Sequence, residues 1–322
     1  MISKQHFVCI FSTICIFMAF VTASGGEIRS TPPEPVKLSA KAIRDYGLSF
    51  EHVKLEIPGL KRAYTFIWIS DLHLISEDIS EISPEKREMI ARRRDKRFAN
   101  PRSGKNPVTL WRALPDMLNK SGADMIFLGG DICDYGSIEN IKILKDGIKK
   151  LTVPTIFLRE DHESTTRHMI SSDTDIQKKL NKEIDGHPAI HIKEFADLII
   201  VGIDNSVFQL RPEVLAKFKE VYAKNKPVIV LMHVPIYPAV NQDMKWITPR
   251  HNIWGARRRP HKPMAEFIKL VKTPNGPVKA VFSGHNHKSW EGLLAPGVKM
   301  NIFNPAFEGN IGVITVTPGS TK

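Results

Sequence analysis

The stretch AYTFIWISDLH, residues 63–73, decides how this chain is read. An apolar run rich in aromatic and β-branched residues stops abruptly at Asp71-Leu72-His73, a carboxylate and an imidazole two positions apart. Such a short, unbroken run predicts a strand buried on both faces. In extended backbone, residues at i and i+2 share a face, so the spacing predicts that Asp71 and His73 are directed at one cluster.

The same layout recurs down the chain. The run at 124–129 leads into Gly130-Asp131 and then Asp134, and 154–158 leads into Glu160-Asp161-His162-Glu163. The run at 228–232 leads into His233, and 278–282 into Gly284-His285-Asn286-His287, which repeats the i, i+2 spacing. A further apolar run covers 198–203. Helix-period segments at 138–150, 175–184, 212–224 and 263–271 lie between these runs, which predicts an α/β arrangement with largely buried sheets. Open α/β sheets gather their sites at the carboxyl ends of strands, and every polar motif here falls at such an end. The last segments, 289–294, 299–303 and 312–317, carry turns but no helices between them, which predicts a meander.

Mixed imidazole and carboxylate donors suit Zn, Mn or Fe rather than Ca or Mg alone. A carboxylate shared by two such ions would let them clamp a phosphoryl group around one activated water. One Asp-x-His or Gly-Asp is usually only a turn. Five such motifs, each after an apolar run, form a pattern. The chain contains no Gly-rich phosphate loop, no dinucleotide fingerprint and no Gly-x-Ser-x-Gly elbow, which excludes the commonest nucleotide-binding and serine-hydrolase readings.

Taken in order, Asp71-x-His73, Gly130-Asp131-x-x-Asp134, Asp161-His162-Glu163, His233 and Gly284-His285-x-His287 resemble the motifs of calcineurin-like metallophosphoesterases. The resemblance spans roughly residues 63–290. It implies a four-layer α/β/β/α sandwich of two mixed sheets flanked by helices, with a two-metal site at the strand ends. It further implies Asp71, His73, Asp131 and His287 around one ion. Asp131 would bridge to a second ion completed by Asp161, His233 and His285. His162 would stand beside the ions, contact the phosphate and help the leaving group depart. The implied activity is hydrolysis of a phosphate mono- or diester through a metal-activated water, on an anionic substrate. The implied cofactors are two divalent or mixed-valence ions, Mn, Fe or Zn.

Two departures stand out. The family usually has Gly-Asn-His where this chain has Glu160-Asp161-His162. Asp161 keeps a ligand oxygen, but it adds negative charge beside an anionic substrate and removes an amide donor. A low-turnover phosphate- or metal-binding module is therefore the alternative reading. In the purple acid phosphatase branch a Tyr stands three residues after the bridging Asp; here that position is Asp134, so no tyrosinate–iron centre is expected. Cys133, between Asp131 and Asp134, reads as a small buried filler of the turn.

Outside the motifs, Lys4 precedes an apolar run to Val21 and small residues at 21–23, the layout of an export signal. Its removal would take Cys9 and Cys15, leave Cys133 alone and lower the net charge from +12 to +11. The expected organisation is a signal at 1–23, an extended leader with a short helix at 24–52, and one domain at 53–322, periplasmic or secreted, with no membrane span once the signal is cleaved and an N-terminal anchor if it is not. Two insertions, at about 77–107 and 238–262, interrupt the strand–helix rhythm. The first carries the basic run Lys86 to Arg97; the second carries Trp246, Arg250, His251, Trp254 and Arg257 to Arg259. Either is a solvated face or a binding loop. An exported nuclease, with these runs on phosphates and the tryptophans on bases, ranks below the phosphoesterase reading.

Overall fold

The structure is a computed structural model that describes residues 38–166, 182, 187–205, 209–238, 253–255 and 260–320. The first sheet has the order β1-β11-β2-β3-β4, with β1 Ser49–Pro58, β2 Tyr64–Ile69, β3 Met125–Leu128, β4 Thr155–Phe157 and β11 Asn310–Gly319. The second has the order β5-β6-β7-β8-β10-β9, with β5 Ile190–Glu194, β6 Ile199–Ile203, β7 Val228–Met232, β8 Val278–Ser283, β9 Trp290–Ala295 and β10 Val298–Ile302. Both sheets are mixed. In the first, β2, β3 and β4 are parallel while β11 runs antiparallel to β2; in the second, β6, β7, β8 and β10 are parallel while β5 and β9 are antiparallel edges.

Alternation along β2 shows how the layers arise. Tyr64, Phe66 and Trp68 point between the sheets, where they meet Phe127, Ile200, Leu231 and Phe282. Ile67 and Ile69 point the other way, onto Trp111, Leu114 and Leu144 of helices Pro107–Leu118 and Ile138–Lys150. Helices Pro212–Ala223 and Lys262–Val271 cover the far face of the second sheet, with Phe218 and Phe267 against Val230 and Val281. The result is the expected α/β/β/α sandwich. Each fully buried Phe, Leu or Ile contributes about 1.5–3 kcal/mol, so the three cores dominate the stabilisation.

The helices start where local chemistry allows. Asn106 Oδ1 accepts from Thr109 N at 2.9 Å ahead of Pro107, and Ser137 Oγ accepts from Asn140 N at 3.1 Å. The helix expected near 39–46 is Ala40–Tyr46, capped by Ser39 and ended by the left-handed Gly47.

The expected meander is corrected. Strands β9 and β10 do form an antiparallel pair, but the third segment, β11, crosses to the first sheet and lies between β1 and β2. The first sheet needs that strand to join β1 to β2, so its pairing is set by partners more than two hundred residues away. Strand β1 begins at Ser49, earlier than Val53. The first insertion is helical and basic as expected: a 3-10 turn Pro84–Lys86, a helix Arg87–Arg92 and a π-helical turn Arg93–Arg97. It is not simply a solvated face, because Ile82, Ile90 and Phe98 bury against Ile75 and Tyr135. The signal and most of the leader, the helix at 175–184 apart from residue 182, and most of 238–262, including Trp246, Arg250, His251 and Arg257 to Arg259, lie outside the described residues. Trp254 is described and is 2% exposed within the second sheet's outer core, so it is not available to stack on a base. No helix among the described residues is long and apolar enough to cross a membrane.

Candidate metal centre

Five strands of the parallel runs end at the same edge of the sandwich, and all the sequence-predicted residues follow them. Asp71 and His73 follow β2, Asp131 and Asp134 follow β3, Asp161 and His162 follow β4, His233 follows β7, and His285 and His287 follow β8. The convergence predicted from sequence is present, but the backbone reason for it differs. Asp71, His73, Asp131, His285 and His287 have φ between 51° and 75°, in the left-handed region rather than in extended strand. A non-glycine side chain held there costs on the order of 1–3 kcal/mol, and such residues cluster at functional sites. The i, i+2 spacing works because each chain coils back on itself past its strand, not because a strand face is shared.

Backbone hydrogen bonds hold these coils side by side. Asp71 N donates to Gly130 O at 3.0 Å, His73 N to Asp131 O at 3.1 Å and Asp134 N to Leu74 O at 3.0 Å. Glu163 ties in the third loop, accepting from Cys133 N at 2.8 Å and Glu160 N at 2.9 Å. Two glycines permit close approach. A Cβ on Gly284 would stand 2.3 Å from Asp71 Oδ2, and one on Gly130 would meet Glu160 Cγ at 2.8 Å. Glu160 itself adopts extended backbone, so its replacement of the family's usual Gly costs no strain.

The donor atoms fall into overlapping clusters. Asp71, His73 and His287 form one, with His73 Nε2 2.9 Å from His287 Nε2 and His287 Nε2 3.3 Å from Asp71 Oδ1. Asp131, His233 and His285 form a second, with His233 Nε2 3.1 Å from Asp131 Oδ2. Asp161 joins Asp131 and His162, so it shares Asp131 with the second cluster rather than grouping with its histidines. His162 also groups with His73 and Asp134. Its Nδ1 donates to Asp134 O at 2.6 Å, leaving Nε2 3.6 Å from Asp131 Oδ2. Cys133 is fully buried and its thiol is pushed well up by burial, as befits a filler. Tyr135 packs in the apolar cluster beneath the insertion.

The electrostatics fit a bound cation pair. Burial opposes charge on Asp71 and Asp131, yet His233 and neighbouring imidazoles hold both carboxyls below the usual range. Asp131 Oδ1 and His233 Nε2 are buried without hydrogen-bond geometry to any partner, although Nε2 lies close to Asp131. Carboxylate and imidazole donors packed this densely, with those two atoms left unpartnered, fit a bound cation. His233 Nδ1 bonds Gly129 O at 2.8 Å, which turns Nε2 to the site, an arrangement typical of metal-ligating histidines. His285 is lowered to about 3 by burial and is already neutral at pH 7. Burial likewise opposes the charge of His233, but Asp131 and Asp71 raise it well above its ordinary value. Ligation needs the neutral ring, so metal affinity should rise with pH through the range in which His233 titrates. His287 is raised as well, its burial outweighed by Asp71 and Asp131, so metal uptake near pH 7 is expected to release about one to two protons per chain, measured as buffer-dependent heats in calorimetry. Uptake without proton release would remove His233 from the donor set.

Sequence reasoning missed Asn205, which follows β6 as the other motifs follow their strands. Its Oδ1 accepts from His233 N at 3.2 Å and its Nδ2 donates to Val234 O at 3.0 Å, fixing the His233 turn. Its place after an apolar run was the available signal. Phe98 and Phe307, whose rings lie 4.4 Å from His73 and 5.3 Å from His287 respectively, had none.

The family model of calcineurin-like phosphoesterases matches residues 64–289. Among solved structures, the chain is similar to a dimetal phosphatase from Danio rerio, at 13% identity over 76% of this chain and 88% of that one, with a TM-score of 0.46. It is also similar to a purple acid phosphatase from yellow lupin seeds, at 12% identity over 79% and 45% of the two chains, TM-score 0.45. A third similarity is to a phosphopantetheinyl hydrolase from Mycobacterium tuberculosis, at 12% identity over 76% and 90%, TM-score 0.40. No curated protein matches the chain.

Proposed function

The chain belongs to the calcineurin-like phosphoesterase family, and from that premise we propose that it hydrolyses a phosphate mono- or diester with the help of two metal ions. The observation that carries this reading is the pair of three-donor clusters, Asp71–His73–His287 and Asp131–His233–His285, at one set of strand ends. In this reading Asp71, His73 and His287, with Asp131, hold one ion. Asp131, His233 and His285, with Asp161, hold the other. When bound, two such ions neutralise phosphoryl charge and lower the pKa of an attacking water.

The side chains have separate tasks. Asp131, shared by both sets, fixes their spacing. Gly129 and Asn205 orient His233, and Ser70 Oγ, donating to Asp71 Oδ2 at 2.6 Å, orients Asp71. His162 presents Nε2 to the site while its Nδ1–H is held by a carbonyl that only accepts. It can therefore deliver a proton from Nε2 only as the cationic ring, and that proton goes to the departing oxygen. Export, read from residues 1–23, belongs to the same proposal, and the N-terminal sequence of the purified mature protein checks it. Elemental analysis with a parallel screen of mono- and diesters tests the whole reading: two transition ions per chain and turnover of at least one ester class support it.

Asp161 gives a separate forecast. Its carboxylate stands with Asp131 and His162, where an anionic substrate would be repelled. One such pair at about 4 Å interacts by roughly 4 kcal/mol at an effective dielectric near 20, and bound ions offset much of it. Asp161→Asn should therefore raise kcat/KM by roughly tenfold on anionic esters at saturating metal. A fully metallated variant slower than wild type on both ester classes would make Asp161 an adapted catalytic feature.

A further inference from the structure

We infer that Arg93 and Phe98, both from the first basic insertion, are positioning residues that set the orientation of His73 and His162 from outside the donor clusters. The inference rests on the phosphoesterase reading above. Arg93 grips Asp134 with two prongs, Nε to Oδ2 at 2.9 Å and Nη2 to Oδ1 at 2.7 Å. The Asp134 side chain is fully buried. Its Oδ1 also stands 3.2 Å from His73 Nδ1, and its backbone oxygen takes His162 Nδ1–H. One residue thus hydrogen-bonds His162 Nδ1 and sets a carboxylate against His73 Nδ1 at ion-pair distance, without hydrogen-bond geometry, and both Nε2 atoms face the site. Burial opposes the charge of the Asp134 carboxyl, but His73 and then the Arg93 guanidinium hold it well below the usual range.

Phe98 holds His73 from another direction. Its ring lies nearly flat on the imidazole, centroids 4.4 Å apart and planes 11° from parallel, and it is 2% exposed. The Arg93 guanidinium carbon sits 5.1 Å from the centre of the same ring. The π-helical turn explains how both residues reach one target. In an α-helix, positions five apart diverge by about 140° at 100° per residue. The wider turn, closed by Phe98 N donating to Arg93 O at 2.9 Å, brings them to one side. Hydrogen-bonded partners behind metal ligands govern both ligand orientation and affinity, and a planar two-pronged grip on a carboxylate is available to Arg but not to Lys.

Arg93→Gln, Arg93→Lys and Phe98→Leu in the full-length protein test this. Chelator competition with Mn and Zn should show a 10- to 100-fold weaker affinity in both Arg93 variants, roughly the cost of losing such a partner. With substrate, kcat should fall more than KM rises, and more for phenyl phosphate than for p-nitrophenyl phosphate. Adding Arg93→Gln to His162→Ala should steepen that leaving-group dependence no further. Phe98→Leu, which leaves Asp134 untouched, should weaken metal binding and keep the leaving-group pattern. Wild-type metal affinity and leaving-group dependence in Arg93→Gln would overturn the inference, as would full rescue by Lys. Failure of the wild type to hydrolyse any ester would sink the phosphoesterase reading, while metal affinity would still decide the role of Arg93.

Discussion

Asp131→Asn is expected to lower kcat/KM on the order of a thousandfold, about 4 kcal/mol of transition-state stabilisation, and to cut the occupancy of both ions. Asp131 is 4% exposed, and its Oδ2 lies 3.1 Å from His233 Nε2 and 3.6 Å from His162 Nε2. Burial works against its charge, yet His233 and His162 hold it ionised, so it is the anion around which the site is organised. Asn is an informative replacement for a backbone reason. Asp131 has φ 51°, a left-handed conformation that Asn adopts more readily than most residues, so the variant should fold. Lost activity then reports lost charge rather than lost structure. Elemental analysis and a melting curve separate the two, and a variant with both ions and near-normal turnover would end the bridging assignment.

His162→Ala should behave in the opposite way. Metal content should stay near wild type, while kcat falls by roughly 10²- to 10⁴-fold for alkyl or phenyl esters and much less for p-nitrophenyl esters. General-acid help matters least when the departing oxygen is already acidic. The geometry makes this a sharp test, because His162 stands close enough to Asp131 and Asp161, and to His73 and Asp134, to serve as a ligand instead. Metal lost together with activity, independent of leaving group, would move His162 into the donor set.

How far the sequence carried differs by element. Strands β2, β3, β6 and β7 are nearly unbroken apolar runs, and β8 is one interrupted only by Lys279; a strand buried on both faces leaves that mark. Strand β1 is half-buried: Val53, Leu55 and Ile57 alternate with exposed Lys54 and Glu56, so its signal was present in a weaker form. Strand β5 is an edge with a single buried residue, Ile190, and reads as loop. Where β11 pairs was not legible, since it depends on β1 at the far end of the chain. At the site, residue types and order carried the reading, because each motif follows an apolar run, even where, as at β4, the strand is a short edge. The left-handed backbone of Asp71, His73, Asp131, His285 and His287 was hidden, since no glycine marks those positions. The grip of Arg93 on Asp134 was hidden as well: an arginine in a basic run looks the same whether it faces water or a buried carboxylate.

The most direct test strips the purified protein with a chelator, restores Mn, Zn or Fe, and follows p-nitrophenyl phosphate and bis-p-nitrophenyl phosphate while ions per chain are counted. The account predicts hydrolysis of at least one ester that disappears on chelation and returns as two ions per chain are restored. Hydrolysis undiminished without metal, or tight two-ion binding with no turnover of either ester, would contradict it.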